Sequence, residues 1–175
     1  MVMNTRLLSI TAGALLGICF IFYTVSNAVP SWGKASSESE EFTIDLWRRC
    51  ISDSDIKTCF DLECSLTNEE SSTCRKIIAA RAFVTLACIL SGISIICLII
   101  YTMKRDSTFA MLLLVTKGLV VACLIMGIIG VAVGIDATVN IGGLIKLDLG
   151  AAAAIGIVAI ILNFIGTIIT LLIKP

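Results

Sequence analysis

Four long apolar stretches, at about 7–29, 77–101, 109–135 and 149–173, alternate with polar segments along the chain. Each exceeds the ~20 residues that a helix needs to cross ~30 Å of hydrocarbon, with at most one charge inside. None shows the period-2 alternation of a barrel strand, so the pattern predicts four transmembrane helices in a single membrane domain spanning residues 1–175. The polar segments left over are a long loop, about 31–76, and a short one, about 136–148.

Arg6 precedes the first stretch, Lys104 and Arg105 separate the second from the third, and Lys174 follows the fourth, with Asp106 the only acid on that side. Positive flanks mark the cytoplasmic face, so both termini are expected in the cytoplasm, both loops outside, and the protein in the plasma membrane. Arg6, the apolar run after it and the small pair Ser26 and Ala28 also look like a signal peptide. That run is about 19 residues, beyond the ~7–15 of a signal core, so an uncleaved first span is expected.

Composition narrows the function classes. Hydrophobic residues make up 58% of the 175 and charged ones 15%, and histidine is absent. Thirteen Lys+Arg balance thirteen Asp+Glu, leaving no basic surplus for phosphate neutralisation, so nucleic acid is not expected as a partner. Lacking the commonest general base and zinc ligand, the chain is expected to be no enzyme and to carry no cofactor.

Cys50, Cys59, Cys64 and Cys74 lie in the long loop, while Cys19, Cys88, Cys97 and Cys123 lie inside spans. An even number in a compact external loop implies disulfides, and spacing alone leaves all three pairings open. Separations of nine, five and ten do not match the tight pairs of a zinc site. The membrane cysteines read as small packing residues, with Cys97, near a cytoplasmic end, a palmitoylation candidate.

At about 46 residues the long loop is too short to build a core alone, so it must be stapled and seated on the bundle. Residues 42–47 (Phe-Thr-Ile-Asp-Leu-Trp) carry strand formers, and Asp53, Ser54 and Asp55 form a turn signal between Cys50 and Cys59. Together they read as a hairpin closed by a disulfide. A short run at 138–141, broken by Gly142 and Gly143, is a candidate extra strand.

Trp32 just after the first span, then Asp45-Leu46-Trp47-Arg48-Arg49-Cys50 and Cys59-Phe60, resembles the W...GLW...C...C signature of the claudin, peripheral myelin protein and epithelial membrane protein superfamily. The likeness extends to Ala79-Ala80-Arg81-Ala82 and to the order of loops, long then short. Asp45 stands where the claudin branch has Gly, which looks more like the peripheral myelin branch. Tetraspanins place their large loop second and carry a Cys-Cys-Gly motif missing here, and connexins need cysteines in both loops.

The resemblance implies a left-handed four-helix bundle capped by a small extracellular antiparallel sheet, four strands from the first loop and one from the second. It also implies a Cys50–Cys59 bridge and, with that bridge set, a Cys64–Cys74 bridge as an addition to the family's two-cysteine pattern. The chain ends at Lys174-Pro175, so the scaffold-binding tail of many claudins is not expected.

Roles follow from position. Trp32 and Trp47 are expected to seat the sheet at the outer membrane interface, with a partner hot spot as the sharper alternative. Arg81 is expected to clamp loop carbonyls beneath the sheet. Lys117 is expected to snorkel and Asn163 to bond between helices, the two being candidate intramembrane polar sites. Gly13-x3-Gly17 and Gly130-x3-Gly134 are expected to pack inside the bundle, with contact between protomers as the alternative. Glu38, Glu40, Glu41, Glu69 and Glu70, in a loop of net charge about minus four, read as a solvated face, with a cation path as the alternative.

Two function classes remain. One is cell contact, junction or membrane organisation, with membrane lipid and the chain itself or a related claudin-like protein, in cis or in trans, as partners. The other is an auxiliary subunit packed against an ion channel or receptor.

Overall fold

The computed structural model describes residues 5–36, 40–53, 56–62, 72–103, 110–141 and 145–173. Four helices, α1 (Thr5–Ala28), α2 (Ser72–Met103), α3 (Ala110–Val139) and α4 (Ala151–Leu172), are each long and apolar enough to cross a membrane. In lipid the apolar side chains can face outward, so a helix need not be amphipathic and its identity follows from length and composition. The helices form a ring, α1 against α2, α2 against α3, α3 against α4 and α4 back against α1.

A five-stranded antiparallel sheet covers one end of the bundle. Its strands β1 (Gly33–Ser36), β2 (Glu40–Ile44), β3 (Arg48–Asp53), β4 (Ile56–Asp61) and β7 (Asp148–Leu149) lie in the order β4-β3-β2-β1-β7. Four thus come from the first loop and one from the second, the arrangement that the resemblance implied. A separate pair, β5 (Asn140–Ile141) and β6 (Ile145–Lys146), lies beside it.

Two local expectations change. The strand run at 138–141 is half helical, because the Thr138 hydroxyl donates to the Gly134 carbonyl at 2.8 Å and α3 continues to Val139. The strand that joins the main sheet is instead β7, where the chain turns into α4. The strand expected over 42–47 stops at Ile44, because the Asp45 carboxylate accepts bonds from the Trp47 and Arg48 amides and folds the chain into a turn.

Backbone bonds seat the sheet on α4. The Trp32 amide donates to the Ile44 carbonyl at 2.9 Å, the Gly150 amide to the Trp32 carbonyl at 2.8 Å, and the Ala152 amide to the Ser31 carbonyl at 2.8 Å. The last of these satisfies a donor that the first turn of α4 would otherwise leave orphaned. Gly150, just before α4, has to be glycine, since a Cβ there would collide with the Ser31 carbonyl.

The core has three layers. At the sheet end Trp32, Leu46, Ala80, Val84, Val131 and Ala153 pack together. A middle layer holds Cys19, Tyr23, Ala87, Cys123 and Ala159. The far end packs Leu16, Leu98, Leu113, Val120 and Ile173. The buried thiols tie neighbouring helices, Cys19 donating to the Ala159 carbonyl at 3.4 Å and Cys123 to the Ala87 carbonyl at 3.3 Å.

Candidate interaction surface

Trp32 lies in the interior, fully buried, and does not seat the sheet in the membrane interface. Its indole N–H donates to the Ser26 carbonyl at 2.8 Å, and its ring occupies the space left by Gly134 of α3. The reason is the short link from α1 to β1: the chain reverses at Ser31 and Trp32 and turns the ring under the sheet. Ser26 in turn donates its hydroxyl to the Ala152 carbonyl at 2.8 Å, joining α1 to α4.

The Asp45-Leu46-Trp47 turn is the joint between sheet and α2. Leu46 is buried, and its carbonyl accepts from Arg81 Nε, while Arg81 Nη2 donates to the Leu62 carbonyl at 3.1 Å. The guanidinium also lies 4.8 Å from the Trp47 ring centroid. One side chain thus holds two loop segments and an aromatic face, a use that suits the planar fork of Arg. Trp47 is 44% exposed, and its indole N–H donates to Asn27 Oδ1 at 3.0 Å. Asn27 was not singled out from the sequence, and Ser26 only as one of a small pair resembling a cleavage site; two polar residues closing an apolar run were the available signal.

Cys50 and Cys59 sit opposite one another in the β3–β4 ladder and form a disulfide. Cys74, in the first turn of α2, is also disulfide-bonded, and Cys64 lies outside the described residues. Cys97 is a free, partly buried thiol.

The register of the ladder puts Phe42, Ile51, Phe60 and Ile56 on one face of the sheet. Ile56 is 71% exposed, Phe60 48% and Ile51 40%. Arg49 stacks its guanidinium 5.8 Å from the Phe60 ring centroid on that same face. Among the described residues β4 forms one edge of the sheet, so its outer backbone groups face away from the ladder. Apolar strips and strand edges are both features that another chain can cover.

Of the acidic residues, Glu41 pairs with Lys34 at 2.8 Å. Glu38, Glu69 and Glu70, and the Glu40 side chain, lie outside the described residues.

Within the bundle, Lys117 Nζ donates to the Leu171 and Ile173 carbonyls at 3.1 and 2.8 Å. It caps the end of α4, where a helix leaves carbonyls without partners and favours positive charge. Asn163 bonds Tyr23 Oη at 3.5 Å and Cys123 Sγ at 3.2 Å, linking α4 to α1 and α3. Gly130 and Gly134 take close neighbours inside the bundle, whereas a Cβ at Gly13 or Gly17 would meet nothing within 4 Å. The expectation of inward packing therefore fails for the α1 pair, whose face is open.

A search of curated proteins found no match. The model of the PMP-22/EMP/MP20/Claudin family matches residues 3–170, nearly the whole chain. With four apolar spans, a five-stranded antiparallel cap and the Cys50–Cys59 bridge, this chain belongs to that family.

Proposed function

We propose that this protein serves cell-cell contact, junction formation or membrane organisation, without enzymatic activity, through self-association of its sheet. The observation that carries the reading is the exposed strip of Ile51, Ile56 and Phe60 beside the open edge of β4. A second copy can extend the ladder through backbone bonds while the apolar side chains lose water. The reading takes the basic flanks at Arg6, Lys104, Arg105 and Lys174 as cytoplasmic, which puts the sheet outside the plasma membrane.

The test is affinity purification of the tagged chain from native membranes in mild detergent, together with an untagged copy. Recovery of the untagged copy, lost in an Ile56→Asp/Phe60→Ser double variant that still reaches the cell surface, is the expected result. Recovery with a channel or receptor at fixed ratio, unaffected by that variant, would make the protein an auxiliary subunit instead.

A further inference from the structure

A trough opens between α1 and α2 at the end away from the sheet. Its deeper part, about 360 Å³, is walled by Ile10, Ile95 and Ile99 and left hollow at Gly13. Its mouth, about 270 Å³, is lined by Thr5, Arg6 and Tyr101. Ser9, Thr102 and Met103 border both parts, so the two are continuous.

The gradient along the trough is chemical as well as spatial. A charged, hydroxyl-bearing mouth leads into a mainly aliphatic slot, and Arg6 and Gly13 are seven residues apart, about 10 Å along the helix. That is the separation between a phosphate and the first part of an acyl chain. Arg6 has no acidic partner among the described residues, whose ion pairs are Lys34–Glu41, Arg48–Asp61 and Lys76–Asp136. A zwitterionic headgroup already answers its own phosphate with an ammonium, so an uncompensated phosphate is the better match for Arg6. A neutral sterol would leave the guanidinium unanswered.

We propose that this trough holds one anionic phospholipid, its phosphate on Arg6 and one acyl chain between α1 and α2 over Gly13. A guanidinium binds phosphate through two parallel N–H bonds, and anionic lipids are concentrated in the cytoplasmic leaflet. The lipid closes a side of the bundle that the protein's own side chains leave open. This proposal is independent of the self-association of the sheet, since it concerns the opposite end of the molecule.

The test is native mass spectrometry of the full chain purified in mild detergent, with phosphatidylglycerol or phosphatidylcholine added. One phosphatidylglycerol should be retained about fivefold more than phosphatidylcholine, and Arg6→Gln should abolish that preference. Gly13→Leu should lose both lipids by filling the slot, without disturbing the bundle, because its side chain enters open space. Ile99→Trp fills the slot from the α2 wall and guards against misfolding of the first variant. Equal retention of the two lipids, a preference that survives Arg6→Gln, or an adduct that survives both slot-filling variants would overturn the proposal. So would retention of cholesterol in place of phospholipid, or loss of a dimer rather than of lipid.

Discussion

Gly130, Gly134 and Gly150, at the sheet end, lie against Val84, the Trp32 ring and the Ser31 carbonyl, whereas Gly13 and Gly17, in the half of α1 away from it, face open space. The same G-x3-G spacing on α1 and α3 therefore has opposite meanings. On α3 the missing side chains admit the Trp32 ring at Gly134 and Val84 at Gly130. On α1 they leave a hollow that the protein does not fill. Small residues permit close approach, but only a large neighbour aimed at them makes it happen.

The sharpest way to break this comparison is Trp32→Ala, which empties the position on which the sheet rests. A loss of about 3–5 kcal/mol is expected, measured by chemical unfolding in detergent. A loss below about 1 kcal/mol would mean that the sheet is held chiefly by its backbone bonds.

Cys50→Ser comes next, removing the bridge across β3 and β4. It should cost about 3 kcal/mol and block delivery to the cell surface, read by surface biotinylation. Cys64→Ser with Cys74→Ser should be milder. Equal damage would show that the second pair is no accessory.

The glycines give the direct contrast. Gly134→Ala drives a Cβ into the Trp32 ring and should cost about 1–3 kcal/mol, while Gly13→Ala should stay within about 0.5 kcal/mol of the parent. Equal melting temperatures for the two variants would remove the distinction between the two ends.

The smallest effect concerns Asp45. Burial lifts its carboxyl above the ordinary 3.8, against the opposing pull of the Arg48 and Trp47 amides. A raised folded-state value means that the folded protein keeps this proton where the unfolded chain has lost it, so this group's contribution to stability falls as pH rises through that range. Asp45→Asn should flatten that fall in unfolding temperature, followed from about pH 4 to 6. A steeper dependence in the variant would show that the amide bonds outweigh burial.

Much of the motif's location was legible in the sequence, but its workings were not. Trp32 and Trp47 look alike on paper, both aromatic and both near a span end. One is buried beneath the sheet while the other is half exposed under Arg81, because the turn at Ser31 reverses the first and the Asp45 turn projects the second. Arg81 was readable as a clamp from its depth in α2; its acceptors, the Leu46 and Leu62 carbonyls, come from segments 35 and 19 residues away. Lys117, read as a snorkelling residue, donates to the carbonyls at the end of α4, partners supplied by a helix some 54 residues further along the chain. The second-loop strand was sought at 138–141, where only Asn140–Ile141 is extended, and the strand that joins the main sheet lies at Asp148–Leu149, because pairing with β1 is not a local event.

By itself, the sequence determined the four spans, the two loops and the crowding of cysteines in the first, because lipid imposes a length and polarity rule that each segment must meet on its own. Only the tertiary structure decided which glycines are filled, which tryptophan is buried and which face of the hairpin is left apolar and exposed. Those outcomes depend on helix rotation and strand register, and both are set by contacts between residues far apart in the chain.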